Sequence, residues 1–429
     1  MANRPRVRRT AVGSVLVLAL LLSGGLGISA QPPAPSKKVR IAFLYSDGNL
    51  PSTLKAYKAL LKERPDLKDQ VAFTFLTESM FDDVKTNEMT GADVLVFDQM
   101  NEQMLQRFNT KNKFDLIAGI RKQGKPVFAV GEGLLPKETY TKLGATFDDT
   151  ARAFWQNGGF NNQLGLLKLV LARAGIKGLT VPRPQPSLDF GYYYPDGQNG
   201  VVFGTWDEFV KWKQVHGKRA SGTGTAAGAA GSANVPRIAL GFYKSAYYSG
   251  ETELLDAIIA QIEKSGAEAV PYFGYPDALA AQKMLRDPAG KARADVSLEL
   301  LFRFAGPEAS PILEKTDIPS INLIGLYGRT EQEWRASSTG LTFFEGTFQV
   351  AVPELAGLVA PTVVASQEKV TDKDTGLTVV VRKPIVSQVD MAVRRAVKYA
   401  ALRAKPNRDK KIAIVFYNYP AGKANIGAS

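Results

Sequence analysis

The sequence predicts an α/β protein made of successive parallel-sheet units of the Rossmann or flavodoxin type. The first observation is a strand pattern that occurs three times, at residues 39–45, 236–243 and 411–417. Each contains a short apolar run that follows a basic residue, which is typical of a buried parallel strand. The second observation is that further apolar runs alternate with helical patterns after the first two segments. We therefore interpret the three segments as the first strands of three units in a multidomain chain.

The first unit contains three further strands and two helices in alternation. The predicted strands are residues 71–76, 93–97 and 126–130, and the predicted helices lie near residues 53–62 and 116–121. In a doubly wound sheet, ligands bind at the carboxyl ends of the strands. The candidate ligand loops, by geometry alone, are residues 46–49, 98–101 and 131–133.

The second unit contains a strongly amphipathic helix and two further strands. The apolar face of the helix consists of Leu254, Leu255, Ile258, Ile259 and Ile262, at helical spacing. Gly266 is placed where a helix typically ends. Strands are predicted at residues 270–273 and 318–324.

A later helix has a basic face. Its apolar positions are Val389, Val393, Val397 and Ala400, and its other positions include Arg394, Arg395, Lys398 and Arg403. A basic helix face is more often solvated than bound to a ligand. We therefore favour a solvated face over a binding site.

The first 30 residues have the order of a secretory signal peptide. Four arginines precede an uncharged run from Ala11 to Ala30, which is apolar first and rich in small residues at its end. Cleavage after Ala30 would begin the mature protein at Gln31. A membrane-anchored form is the alternative, but the apolar core before Gly24 is short for a bilayer span. We therefore expect an exported, periplasmic protein.

Composition divides the chain into five predicted segments. They are a signal peptide (1–30), an N-terminal α/β domain (31–217), a linker or insertion (218–235), a second α/β domain ending in the basic helix (236–408) and the start of a third, truncated α/β domain (409–429). The linker is predicted because its small Gly, Ala, Ser and Thr side chains cannot build a core. A phosphate-binding loop is disfavoured there, since no Gly-Lys-Ser/Thr ending is present.

Composition also excludes several kinds of site. The chain of 429 residues has no cysteine, which excludes disulfides and thiolate metal sites. His216 is the only histidine, and we expect it to be exposed, so no bound structural metal is predicted. The net charge of +13 falls to +9 when the signal peptide removes four arginines and no acid, which favours anionic ligands. No nucleic-acid-binding signature and no ATP-hydrolysing loop accompany the basic residues.

Four stretches resemble the large, tetrapyrrole-binding subunit of cobalt and magnesium chelatases. They are residues 155–195, 241–252, 322–357 and 402–427, and their order agrees with that of the family. The first contains the turn Gly158-Gly159-Phe160-Asn161-Asn162 and ends in Tyr193-Tyr194-Pro195. Tyr194 stands where the family has histidine, so a ligand or proton-transfer role does not carry over to it.

The resemblance implies a tetrapyrrole substrate and a metal substrate. The tetrapyrrole would be a cobalamin precursor, a porphyrin or a haem-like molecule, and the metal would be divalent cobalt or magnesium, inserted or removed. The implied partners are other chelatase subunits, and export adds a membrane uptake system. We expect this chain to be an incomplete, N-terminal part of such a subunit.

The candidate tetrapyrrole-binding residues follow two of the repeated strands. A loop is predicted after Tyr243, at the carboxyl end of the second repeated strand, and a similar loop occupies the same place in the third unit. Aromatic side chains suit a flat macrocycle, and basic ones suit its carboxylates. The candidates are Tyr243, Lys244, Ser245, Tyr247, Tyr248, Ser249, Tyr419, Lys423 and Asn425.

Two functions without catalysis stay open. The chain is compatible with a periplasmic protein that captures or delivers a tetrapyrrole, and with a receptor for a sugar or another small solute. Porphyrin binding would argue against the small-solute receptor, and metal turnover would argue against the tetrapyrrole carrier.

Overall fold

Two β-sheets form the framework of the protein. The computed structural model describes residues 38–45, 50–77, 91–97, 122–130, 148–197, 199–216, 235–300, 307–373 and 378–415. Both sheets belong to one compact unit that begins at Lys38. Helices follow or separate most of their strands, so the predicted α/β class is confirmed.

The first sheet is four-stranded and entirely parallel. Its strands are β1 (Val39–Leu44), β2 (Val71–Leu76), β3 (Val94–Phe97) and β4 (Val127–Ala129), in the order β2-β1-β3-β4. The helices of this part are α1 (Leu50–Glu63), α2 (Leu67–Gln70), α3 (Asp149–Asn157) and α4 (Gly159–Arg173). Phe43 of β1 is fully buried and stacks against Phe73 and Phe75 of β2, with ring centroids 5.6 and 5.0 Å away. Asp148 caps α3 by accepting a hydrogen bond from Ala151 N at 2.9 Å.

The second sheet has eight strands, of which the central five are parallel. They are β5 (Gly191–Tyr194), β6 (Val201–Phe203), β7 (Arg237–Phe242), β8 (Glu268–Phe273), β9 (Val296–Leu300), β10 (Ser320–Gly325), β11 (Val359–Thr371) and β12 (Thr378–Pro384). The order is β12-β11-β10-β9-β7-β8-β5-β6. The pairs β5–β8, β5–β6 and β11–β12 are antiparallel. The antiparallel strands therefore extend a parallel core at both edges.

Nine helices accompany the described part of the second sheet. They are α5 (Trp206–His216), α6 (Lys244–Tyr248), α7 (Glu253–Lys264), α8 (Asp277–Leu285), α9 (Ser310–Thr316), α10 (Glu331–Ala336), α11 (Phe343–Gly346), α12 (Val352–Leu355) and α13 (Val386–Ala404). A π-helical turn, Thr347–Ala351, joins α11 to α12. The predicted apolar face of α7 is buried at all five positions, and Gly266, just beyond its end, has a φ of 83°. Within the described ranges, no helix combines the length and the apolarity that a bilayer crossing requires.

The boundary between the sheets differs from the predicted boundary at residue 217. Strands β5 and β6 and helix α5 lie in the segment assigned to the first domain, but β5 pairs with β8 of the second sheet. The aromatic side chains of Tyr192 and Tyr193 are fully buried in the core of that sheet. Among the described residues, all four strands of the first sheet therefore precede Gly191.

The hairpin β11–β12 connects the two sheets. Val379 of β12 is buried in the core beside the first sheet. Lys58 of α1 forms an ion pair with Asp372, just beyond β11. An edge element of the second sheet therefore packs against a helix of the first.

The third repeated strand pattern does not form a strand in the described residues 411–415. Ile412, Ile414 and Val415 are 85%, 75% and 91% exposed. A strand needs a neighbour for its backbone groups, and no described strand lies beside this segment. Residues 416 and 417 lie outside the described residues.

Candidate functional site

The candidate site lies where the second sheet changes its direction of strand addition. β8 lies on one side of β7, and β9, the next strand in the chain, lies on the other. Open α/β sheets bind ligands outside the carboxyl ends of the strands at such a switch point. We call the carboxyl ends of β7, β8 and β9 the switch-point edge; they are Phe242, Phe273 and Leu300.

A polar layer crosses the sheet one residue before this edge. In the strand register, Gly241 of β7 lies between Tyr272 of β8 and Glu299 of β9. The Tyr272 hydroxyl donates to Glu299 Oε1 at 2.7 Å, and the Ser297 hydroxyl donates to the same oxygen. An ideal Cβ on Gly241 would lie 2.8 Å from Tyr272 Oη and closer still to Glu299 Oε2. The missing side chain of Gly241 therefore makes room for the bond between its neighbours.

Two buried carboxyl groups belong to this edge. Glu299 is 1% exposed, and Asp277, the first residue of α8, is 6% exposed. In the described part of the chain, neither Glu299 Oε2 nor Asp277 Oδ1 has a hydrogen-bond partner. Burial raises the pKa of each group to about 7, and the charge of Asp277 contributes to the raised pKa of Glu299. Burial also raises the pKa of Tyr272, so its hydroxyl keeps its proton and acts as a donor.

The segment after Tyr243 is a helix, α6, and the predicted loop is wrong. Lys244 Nζ lies 3.4 Å from Asp189 Oδ1 and 3.5 Å from Leu188 O, and its side chain keeps 36% exposure. Tyr243 itself precedes the first turn of α6. Lys244 is thus partly accessible beside the switch-point edge.

Of the other predicted residues of this segment, Tyr247 and Tyr248 pack against the core of the second sheet. Tyr247 and Tyr248 lie edge to face with ring centroids 4.9 Å apart, and burial raises the pKa of both phenols. Tyr248 Oη accepts a hydrogen bond from Leu188 N at 2.9 Å. The exposed Ser245 accepts at its carbonyl oxygen from Ser249 N at 2.6 Å, which closes the end of α6. The geometry gives Tyr248 a structural role.

A second polar network follows β10, and the sequence analysis missed it. Glu345 is fully buried and accepts hydrogen bonds from Tyr327 N at 2.9 Å and Thr342 N at 2.8 Å, and it pairs with Arg329. Burial opposes ionisation, but these hydrogen bonds outweigh it and lower the pKa of Glu345. The network fixes a segment in which Phe343 is 91% exposed. The spacing of Thr342 and Glu345 is that of a capping box, so the sequence did contain a signal for the start of α11.

A comparison with known protein families identifies the chain. The sequence model described as CobN/Magnesium Chelatase matches residues 152–429, which is more than half of the chain. The chain belongs to the CobN/magnesium chelatase family. The match includes the whole second sheet and its switch-point edge.

Individual relatives agree with this assignment. The magnesium-chelatase subunit ChlH of rice (Oryza sativa subsp. indica) is 28% identical over 291 residues, which are 64% of this chain and 20% of the rice protein. The aerobic cobaltochelatase subunit CobN of a Sinorhizobium species is 28% identical over 290 residues, 65% of this chain and 21% of that protein. The chain thus spans about a fifth of the length of these curated relatives.

A solved structure has a similar fold. The catalytic subunit of cobaltochelatase from Mycobacterium tuberculosis superposes with a TM-score of 0.61 at 18% sequence identity. The superposition covers 89% of this chain and 29% of that protein. At this identity the likeness concerns the fold alone.

The turn Gly158-Gly159-Phe160-Asn161-Asn162 has a structural role in this chain. Asn162, at the start of α4, donates to Gly158 O at 2.7 Å and to Gln185 O at 2.8 Å, and it accepts from Gln185 N at 2.8 Å. Asn157 Oδ1 accepts from Ser187 N at 2.9 Å. We call residues 182–188 the proline-rich strap. Asn157 and Asn162 therefore fasten this strap beside the start of α4.

Tyr194, at the position of the family's histidine, is held by its own partners. Its hydroxyl donates to Glu263 Oε1 at 2.6 Å, and Lys213 Nζ lies 5.2 Å from its ring centroid. Burial and the Glu263 carboxylate raise the pKa of Tyr194. The side chain therefore stays a neutral donor inside the protein.

Three basic side chains of α13 form hydrogen bonds or ion pairs with other groups of the protein. Arg395 donates to Thr362 Oγ1 at 2.6 Å, and Arg403 pairs with Asp317 at 2.9 Å. Arg394, 67% exposed, pairs with Asp390 on the same helix. The exposed Arg394 fits the predicted solvated face, whereas Arg395 and Arg403 bind other elements of the protein.

The remaining predicted sites have different outcomes. Tyr419, Lys423 and Asn425 lie outside the described residues. His216 is exposed as expected and stacks on Trp212, with ring centroids 4.8 Å apart. Within the described ranges, no group of three or more His, Asp and Glu side chains is placed to hold a metal ion.

Proposed function

We propose that this chain supplies the tetrapyrrole-binding part of a chelatase large subunit, which holds the macrocycle for the insertion or removal of cobalt or magnesium. The observation that carries the proposal is the family match over residues 152–429. The names of the matched relatives, a magnesium-chelatase subunit and a cobaltochelatase subunit, supply the class of reaction. The metal ion is a substrate in this reaction. Other chelatase subunits would act with the chain.

The accessible groups near the sheet's carboxyl edge support a ligand of this kind. Lys244 is partly exposed, and its partner Asp189 is 86% exposed, so water weakens their attraction. Lys244 is thus available to a carboxylate substituent of the macrocycle. Phe343 and Tyr327, which follow β10 and are 91% and 60% exposed, offer aromatic surface to a flat ring.

The test is a Soret-band titration of the full chain with metal-free porphyrin, a hydrogenobyrinate-type corrinoid and haem. We expect saturable binding of at least one of them, and weaker binding by Lys244→Ala. Lys315→Ala on the exposed side of α9 is the matched control and should bind as the unmodified chain does. Absence of saturable binding to all three ligands would contradict the proposal.

A periplasmic carrier that leaves the metal in place is the second candidate. The basic, apolar and small-residue order of residues 1–30 favours it, because export separates a protein from cytoplasmic ATP. Metal analysis of the bound tetrapyrrole after incubation with Co²⁺ or Mg²⁺ separates the two candidates. A changed metal content supports a chelatase, and an unchanged content with retained binding supports a carrier. Amino-terminal sequencing of the secreted protein would test cleavage before Gln31.

A further inference from the structure

An exposed apolar surface lies just beyond the carboxyl end of β8. Tyr275, two residues after the strand, is 74% exposed, and Leu279 of α8 is 42% exposed. A tyrosine ring offers a flat apolar face with a polar tip, which suits it to contact with a ligand. Tyr275 thus presents an aromatic ring to solvent at the strand ends where open α/β sheets bind ligands.

Phe190 connects this surface with Lys283. Phe190 directly precedes β5, whose first residue, Gly191, pairs with Phe273 at the end of β8, so β5 begins at the switch-point edge. An ideal Cβ on Gly274 would overlap the ring of Phe190, so this ring lies against the residue that follows β8. Lys283 Nζ lies 4.2 Å from the centroid of the same ring. The ammonium group of Lys283 therefore lies at the switch-point edge.

Lys283 has no carboxylate partner in the described part of the chain. Its side chain is exposed, and its ammonium group takes part in none of the ion pairs there. An ammonium group over a ring face still has hydrogens that it can donate to an anion, because it carries three donors. Lys283 is thus an unpaired positive charge beside an aromatic surface.

A second lysine contacts the same stretch of chain. Lys244 Nζ lies 3.5 Å from Leu188 O, and Leu188 is two residues before Phe190. Two residues of chain span at most about 7 Å between their Cα atoms. Lys244 and Lys283 therefore reach one short segment from two different helices, α6 and α8. Two cations beside an exposed aromatic ring are complementary to a flat ligand that carries two carboxylates.

We propose that Lys283 binds a carboxylate of the macrocycle, that Tyr275 stacks on its ring, and that Lys244 and Lys283 together select macrocycles with two free carboxylate groups. This role rests on the proposed function and adds to it a residue that determines specificity. A neutral macrocycle of the same shape keeps the aromatic contact and loses both charge-assisted hydrogen bonds. The surface therefore distinguishes ligands by their charge as well as by their ring.

The test is a Soret-band titration of the full chain with a metal-free porphyrin that carries two propionate groups, and with the diamide of the same porphyrin, at constant ionic strength. We expect the unmodified chain to bind the diacid at least about fivefold more tightly than the diamide. Lys283→Ala should weaken binding of the diacid by about fivefold and leave binding of the diamide unchanged. Lys283→Arg, which keeps the charge, should bind the diacid as the unmodified chain does.

Two further variants separate charge from stacking. Tyr275→Ala should weaken binding of both ligands equally, because they share one ring system. Lys315→Ala, on the exposed side of α9, is the matched control for the loss of one positive charge and should bind both ligands as the unmodified chain does. Unchanged diacid binding by Lys283→Ala, or an equal loss for both ligands, would overturn the proposal and leave the proposed function standing. Absence of binding of either ligand to the unmodified chain would overturn both.

Discussion

The phenol of Tyr272 donates a hydrogen bond to Glu299 over 2.7 Å, although a third strand, β7, lies between the strands that carry them. The bond passes over Gly241, which is in register with both residues. A single glycine thus permits a buried polar contact across three central strands. The contact lies at the sheet edge where the strand topology places the candidate site.

Gly241→Ala should destabilise the protein by about 2 kcal/mol, because a methyl group there would overlap Glu299 and Tyr272 in a packed interior. The measurement is the free energy of unfolding from urea denaturation. Gly346→Ala is the matched control, since an ideal Cβ there meets no atom within 4 Å. Equal stability of the two variants would show that the polar layer adapts to the extra methyl group.

Glu251 should make the folding stability depend on pH. Burial raises its pKa above the ordinary value of 4.5, and the charge of Arg382 only partly opposes this. As the pH rises from 4.5 through the raised pKa, the carboxyl group ionises first in the unfolded chain, so the folded state loses stability. The free energy of unfolding of Glu251→Gln, relative to that of the unmodified chain, should therefore increase as the pH rises from about 4 to about 8.

Urea denaturation at both pH values measures this gain. The exposed Glu314 provides the control, since Glu314→Gln should shift stability equally at the two pH values. A constant difference between Glu251→Gln and the unmodified chain would contradict the expectation.

Most of the parallel strands were predictable from the sequence because buried strands give an uninterrupted apolar run, but β9 and β11 of the parallel core were not predicted. Residues 71–76 were predicted as a strand and form β2 with the same bounds. The antiparallel strands at the edges of the second sheet were missed because they lack such a run. β12 contains Arg382 and Lys383 among apolar residues and has few buried positions, so its sequence resembles a loop. Its place depends on pairing with β11, which no local pattern reveals.

The candidate site was only partly predictable. The sequence indicated the end of β7, because that position follows from the strand pattern and the rule for sheet edges. The sequence did not indicate Glu299, because a single acidic residue in an apolar run does not show which strands will lie beside it in the sheet. The sequence predicts a loop where the short helix α6 lies, because the five residues Lys244–Tyr248 are too few to show a helical period. The strap's hydrogen bonds to Asn157 and Asn162 also depend on tertiary contacts.

Phe343→Ala should weaken tetrapyrrole binding if the segment after β10 contributes to the proposed site. The side chain is 91% exposed, so its removal should leave the fold intact while it removes an aromatic contact that is worth about 1 kcal/mol. The expected result is a Soret-band dissociation constant about fivefold higher. Ile412→Ala, which removes a side chain that is 85% exposed elsewhere, is the control. Equal affinities of the two variants would place the macrocycle away from this segment.

Asn162→Ala should release the proline-rich strap and lower stability by about 3 kcal/mol, because it leaves backbone groups of Gly158 and Gln185 without partners in a buried position. Hydrogen exchange should accelerate at the amide of Gln185, which loses its acceptor. Asn161→Ala is the matched control, since Asn161 is exposed and makes only a 3.3 Å side-chain contact with Gln185. Similar exchange at Gln185 in both variants would show that the strap is held by its packing. Faster exchange in Asn162→Ala alone would show that the Asn162 side chain fastens the strap.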